Sequence, residues 1–200
     1  MKSIYWCILW ILSFIKTYTQ NLNSSEYFQQ QVNYKISVQL NDFQHSLKGF
    51  EEIEYINNSP DTLRYIYFQL WPNAYKNQST CLAQQFLKFG DRDFYFSKTE
   101  ERGYIDSLDF QINNNKCRWK TLKDTIDIAV LYLNEPLLPH QSIKITTPFY
   151  VKIPSAKFSR LGHLGNAYYI TQWYPKPAVY DHYGWHPMPY LHNGEFFSEY

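Results

Sequence analysis

From Tyr34 to Leu40 the side chains alternate, with Tyr34, Ile36, Val38 and Leu40 set against Lys35, Ser37 and Gln39. That two-residue period is the mark of a strand with one buried face. Asn41-Asp42 supplies a turn, and a second strand follows from Ser46 to Ile56, closed by Asn57-Asn58-Ser59-Pro60. A third runs from Asp61 to Trp71 with Ile66, Phe68 and Leu70 on one face and Tyr65 and Tyr67 on the other. Apolar content on both faces predicts an interior strand, or one covered by a further layer. The rhythm breaks at Thr80–Phe89, where Leu82, Phe86 and Phe89 stand at i, i+4 and i+7. Ser79 or Thr80 as N-cap and Gly90 beyond the last turn predict a short helix there. After a charged loop over 91–103, strands are expected at Tyr104–Ile112, Thr125–Leu133 and Ser142–Tyr150, with a turn at Asn113-Asn114-Asn115. The fold class is therefore mostly β: an antiparallel sandwich with one short helix.

The first nineteen residues read as an address. Lys2 precedes an apolar run from Ile4 to Ile15, interrupted only by Ser13 and followed by Lys16. As a helix this run spans roughly 18 Å, short of a bilayer core of about 30 Å. Charged start, short apolar stretch and Thr17 and Thr19 before Gln20 describe a secretory signal peptide over 1–19. The expected location is secreted, periplasmic or cell-envelope. The alternative is a short anchor, so contact with a membrane would come only through an uncleaved N-terminal segment.

Composition adds an aromatic excess and little charge. The 200 residues include 6 Trp, 19 Tyr and 14 Phe, and 18% are charged, for a net +1. Tyr and Phe favour pleated surfaces, which agrees with the strand pattern. Loss of Lys2 and Lys16 with the leader leaves 17 basic against 18 acidic side chains. That balance gives no sign of a polybasic surface for nucleic acid or membrane. Cys81 and Cys117 remain after cleavage. They are either one disulfide, worth roughly 3–4 kcal/mol, or two buried thiols.

Catalytic spacing is sparse. The chain contains no His-Glu-x-x-His, no Gly-x-Ser-x-Gly and no phosphate loop. His182 and His186 are four apart, but Gly184, Pro187 and Pro189 argue against the helix that would give the spacing a metal-binding meaning. His45, His140 and His163 read as surface or packing residues. The acidic pairs Glu51-Glu52 and Glu100-Glu101 read as solvated, the first straddling two faces of a strand. Asn23, Asn57 and Asn77 head glycosylation sequons, the middle one weakened by Pro60.

The dense feature is Tyr169-Ile-Thr-Gln-Trp-Tyr-Pro-Lys-Pro-Ala-Val-Tyr-Asp181, followed by Gly184-Trp185 and Gly194-Glu195-Phe196. Earlier echoes are Leu70-Trp71-Pro72-Asn73-Ala74-Tyr75, Arg102-Gly103-Tyr104-Ile105 and Phe158-Ser159-Arg160-Leu161-Gly162. Over about residues 24–200 the chain resembles the N-terminal domain of M1-family, aminopeptidase N-like zinc metallopeptidases of the secreted bacterial branch. The resemblance implies a saddle-like antiparallel β domain, incomplete at its C-terminal end, lying against a thermolysin-like catalytic domain. It implies that Gln172 lines the pocket for the substrate's side chain. It also implies that Tyr174 occupies the position where an acidic or amide residue holds the peptide's α-amine. A phenol there accepts a hydrogen bond or offers its ring face but supplies no carboxylate.

The resemblance places zinc and its ligands in a catalytic domain absent from these residues, so this chain is expected to hold no cofactor and to be inactive alone. Its peptide substrate is then met together with that domain. Two rival readings remain. One is a free-standing secreted sandwich that docks peptide or glycan on its aromatic strip. The other is a metal hydrolase using His182 and His186.

Overall fold

A computed structural model of the chain describes residues 27–194. The leader, the sequon at Asn23 and the stretch from Glu195 onward lie outside them. Three long strands open the fold: β1 (Gln31–Asn41), β2 (Ser46–Ile56) and β3 (Leu63–Gln69). A 3-10 turn at Trp71–Tyr75 leads to α1 (Cys81–Lys88), the one α-helix among the described residues. Then come β4 (Tyr104–Asp106), β5 (Gln111–Ile112), β6 (Asn115–Lys116) and β7 (Arg118–Thr121). Two long strands, β8 (Ile128–Leu137) and β9 (Ser142–Lys152), complete the frame. Short pairs follow: β10 (Gly162–Leu164) with β11 (Ala167–Tyr169), then β12 (Lys176–Pro177), β13 (Tyr180–Asp181) and β14 (Gly184–Trp185).

All paired strands are antiparallel. One sheet runs β1-β2-β9-β5-β6, with β4 also on β9, and the other runs β12-β3-β8-β7. The two share one core. Ile53, Tyr55, Ile145, Phe149 and Val151 from the first meet Ile66, Phe68, Ala129 and Leu131 from the second. The mostly β, antiparallel expectation is met, and β3 is interior, lying between β12 and β8. Its outer rings Tyr65 and Tyr67 both meet Trp185 of the β13–β14 hairpin, which leaves Tyr65 exposed.

Several elements differ from the pattern in the sequence. The expected strand Tyr104–Ile112 is two short strands, because Ser107 turns left-handed at φ 60° between them. β8 begins at Ile128 and runs on through Pro136 to Leu137. The Asn turn does form: Asn113 and Asn114 both take positive φ, and Ile112 faces Asn115 across a two-residue hairpin. In α1 the buried face is Leu82, Ala83 and Phe86, whereas Phe89 is 63% exposed. The reason is that Phe89 is the C-cap and the chain leaves the helix at Gly90, whose φ is +83°.

Thr80 caps the other end of α1, accepting from the Ala83 amide at 3.3 Å and donating to the Ala74 carbonyl at 2.7 Å. Thr80→Ala loses both bonds. It is expected to cost about 1–2 kcal/mol, read as a lower midpoint in denaturant with unchanged slope.

Cys81 and Cys117 are both free thiols. Burial, then Asp109, pushes the Cys117 thiol up to about 11. Asn57 is fully buried and its amide donates to the carbonyls of Asp61 and Leu137, so the folded chain hides that sequon. Among the described residues no helix is long and apolar enough to cross a membrane.

A smaller contact ties β10 and β11 to the frame. His45, in the β1–β2 turn, stacks on His163 with ring centroids 3.6 Å apart and planes 12° from parallel. Its Nδ1 lies 2.8 Å from the Tyr168 hydroxyl, which also donates to the Asp42 carbonyl. His45 and His163, read from the sequence as surface or packing residues, pack on each other.

Candidate functional site

The segment between β11 and β12 carries Gln172 and Tyr174, and the structure brings both to one cavity of about 190 Å³. Gln69, Trp71 and Lys176 complete its walls. Three features of the chain assemble it. Prolines on either side of Lys176 hold that stretch extended, and Lys176 pairs with Gln69 in the β12–β3 ladder, with Pro177 opposite Phe68. Trp71 opens the 3-10 turn directly after β3, and its indole N–H donates to the Met188 carbonyl at 3.1 Å. Gln172 stands at φ 53°, a left-handed turn that separates its direction from that of its neighbour Trp173. Trp173 packs on Phe149 of the core, at 5.8 Å between centroids.

Tyr174 is held from two sides. Its ring meets Tyr34 edge-on at 5.4 Å and Trp173 edge-on at 5.2 Å. Burial and the neighbouring Glu51 carboxyl push its phenol up, so it is a neutral hydroxyl at physiological pH. The Lys176 ammonium lies 5.1 Å over the Trp71 indole, and burial lowers its pKa. A cation on an indole face is a favourable contact in a partly dry site.

The polar groups of the wall are under-used. Gln69 is 1% exposed, and among the described residues neither its Oε1 nor its Nε2 has a hydrogen-bond partner. Gln172 Oε1 is likewise buried without one. Most buried polar side chains find partners, so the Gln69 amide and the Gln172 amide oxygen, unpartnered in one small cavity, are a feature to explain.

Glu51 corrects the sequence reading more sharply. The pair Glu51-Glu52 does straddle two faces of β2, but Glu51 is 0% exposed. It points inward between Ile36 and Thr147 of the neighbouring strands. Among the described residues both its carboxylate oxygens lack partners, and desolvation pushes its pKa up to about 9. Glu52 points outward and pairs with Lys144 and Lys35.

Most of the aromatic strip is packing. Tyr180 and Trp185 pack with ring centroids 4.9 Å apart and planes tilted by 50°, and Tyr190 is buried beside Trp71 and Tyr75. His182 lies in the turn of the β13–β14 hairpin and His186 just beyond it, and neither is on a helix. His186 Nε2 lies 2.9 Å from Asp181 Oδ2. Burial raises the Asp181 carboxyl, but the bonds from His186 and the Tyr183 amide outweigh it and hold it below its usual value. Among the described residues no three His, Cys, Asp or Glu side chains gather as metal ligands do.

Gln69, Lys176 and Glu51 were not singled out as site residues from the sequence. Lys176 had a signal in its two flanking prolines; Gln69 and Glu51 follow an ordinary strand alternation. No protein-family model matches this chain, and no curated protein matches it.

Proposed function

We propose that this chain is the substrate-side β domain, saddle-like in form, of a secreted zinc aminopeptidase of the M1 type. Gln172 and Tyr174 then wall the pocket that receives the first side chain of a peptide. The observation that supports the reading is their convergence, with Trp71 and Lys176, on one cavity of about 190 Å³. That is below the ~300 Å³ at which pockets for drug-sized ligands begin, and suits a single side chain. The chain's sequence holds no His-Glu-x-x-His, so peptide hydrolysis requires a zinc-bearing domain working beside it. These residues bind and orient; they do not activate water.

The test is a titration of the full chain with dipeptides bearing a free N-terminus, followed by NMR. Expected are shifts at the Trp71 indole N–H and at Gln172 and Tyr174, weakened about tenfold by Gln172→Ala, which is the loss of roughly 1.4 kcal/mol. The chain alone should release no amino acid. Peptide-induced shifts confined to other surfaces would sink the reading. Shifts at this cavity with an oligosaccharide and none with peptide would favour the free-standing glycan module.

A further inference from the structure

We infer that the cavity is selective for a primary carboxamide, so that the side chain it receives is that of glutamine or asparagine. The inference rests on the peptide-wall reading for the ligand's backbone, and on the orphaned amides for its side chain.

The unmet bonds define the guest. Gln69 offers an acceptor and two donor hydrogens that no other described residue uses, and Gln172 adds a second unused acceptor. Because both polar atoms of Gln69 are unpartnered, exchanging its O and N would leave the count the same. A carboxamide donates one N–H to Gln69 Oε1 while its carbonyl accepts from Gln69 Nε2, closing a two-bond ring. Its second N–H remains for Gln172 Oε1. No other common side-chain group does this. A carboxylate has no hydrogen to donate and would face two carbonyl oxygens with its own lone pairs. An ammonium or guanidinium has no acceptor for Gln69 Nε2 and would enter beside Lys176. A hydroxyl is a single atom and cannot span both ends of the Gln69 amide.

Access and size agree. The amide atoms are closed from water in the empty fold, but the last torsion of a glutamine is broad and roughly two-fold, so turning the amide toward a guest costs little. The volume corresponds to about six waters at ~30 Å³ each, enough for one short polar side chain with the Trp71 and Tyr174 rings alongside its methylenes.

The experiment titrates the full chain with Gln-Ala, Met-Ala and Glu-Ala and with propionamide, following glutamine side-chain NH₂ and tryptophan N–H signals. Gln-Ala is expected to bind at least about tenfold more tightly than Met-Ala, its near-isostere, because the latter leaves both amides unpaired. Glu-Ala should be weaker still. Gln69→Met should leave the fold intact and bring Gln-Ala down to the level of Met-Ala. Should that variant not fold, Gln172→Asn keeps a residue that tolerates the left-handed backbone and withdraws the acceptor by one methylene. It should cut the preference several-fold.

Equal or tighter binding of Met-Ala, or a Gln-Ala preference that survives both substitutions, overturns the inference. Dipeptides binding at the cavity without preference would remove the carboxamide selectivity and leave the peptide wall standing. Propionamide binding there without any dipeptide would do the reverse. Silence from all four probes would end both.

Discussion

Glu51→Gln should make the protein more stable at neutral pH, by about 3 kcal/mol at pH 7, and the gain should grow toward pH 9. The cause lies in the unfolded chain as much as in the folded one. Folded, the carboxyl is sealed between Ile36 and Thr147 and stays protonated up to about 9. Unfolded, it ionises near its ordinary value of 4.5. Its folded pKa is raised, so its contribution is fully present below about pH 4.5 and is lost as pH rises through 9. Each unit between 4.5 and the working pH costs about 1.4 kcal/mol, which gives the figure at pH 7. A glutamine has the same shape and nothing to ionise, so its stability curve should be flatter over this interval. At roughly 2–4 °C per kcal/mol for a chain of this size, the melting temperature at pH 7 should rise by roughly 6–12 °C. Denaturant melts of both proteins at pH 5, 7 and 8.5 check it. Parallel curves would mean that the folded carboxyl ionises normally and that the sheet admits water there.

Phe149→Ala should be the most damaging single truncation near the site, at about 3–5 kcal/mol. The ring is 1% exposed, sits on the inner face of β9, and is the platform on which Trp173 rests. Its removal opens a void under the segment that carries Gln172 and Tyr174, so peptide binding at the cavity should fall together with stability. The partner position makes the prediction sharper. Gly49 lies directly opposite Phe149 in the β2–β9 register. A β-carbon built at 49 would overlap Phe149 Cζ, and its next nearest neighbours are other atoms of the same ring. Gly49→Ala alone should therefore cost about 1–3 kcal/mol by overpacking. In the Phe149→Ala background the same change should cost nothing, and should recover roughly 0.5–1 kcal/mol because alanine is stiffer than glycine in a strand. Additive costs in the double variant would show that the ring is not the obstacle.

The long strands were legible because each is long enough to display its period. Tyr34 to Leu40, Ser46 to Ile56 and Ser142 to Tyr150 lie within strands seen at Gln31–Asn41, Ser46–Ile56 and Ser142–Lys152. Helix α1 was legible from its cap and its terminal glycine. Strands β10 to β14 were not, since two or three residues show no period and exist only through what they pair with. Lys176 becomes a strand residue because Gln69, far back in the chain, is opposite it.

The site follows the same division. Gln172 and Tyr174 were nominated through a resemblance, whereas Gln69 joins them only once β12 is laid on β3. Glu51 was misread because alternation tells which residues share a face, not which face the other sheet will cover. Two carboxylates in sequence suggest water on both sides. The second sheet and the Trp173–Tyr174 segment close over one of them.

The stacked imidazoles of His45 and His163 bear on acid tolerance. Burial, then the nearness of His45 and of Lys152, holds His163 below its ordinary 6.5. A depressed folded value means that stability is present above about 6.5 and is surrendered as the medium acidifies past it. Asp42 and Tyr168 reach this corner too, the first through its carbonyl and the second through its hydroxyl. Glu51 imposes the opposite slope. The protein is therefore squeezed between two proton equilibria at opposite ends of the molecule's pH range, and each end has its own point of failure. Alkali works from inside the six-stranded sheet. Acid acts on the arm of β10 and β11, where His163 is held.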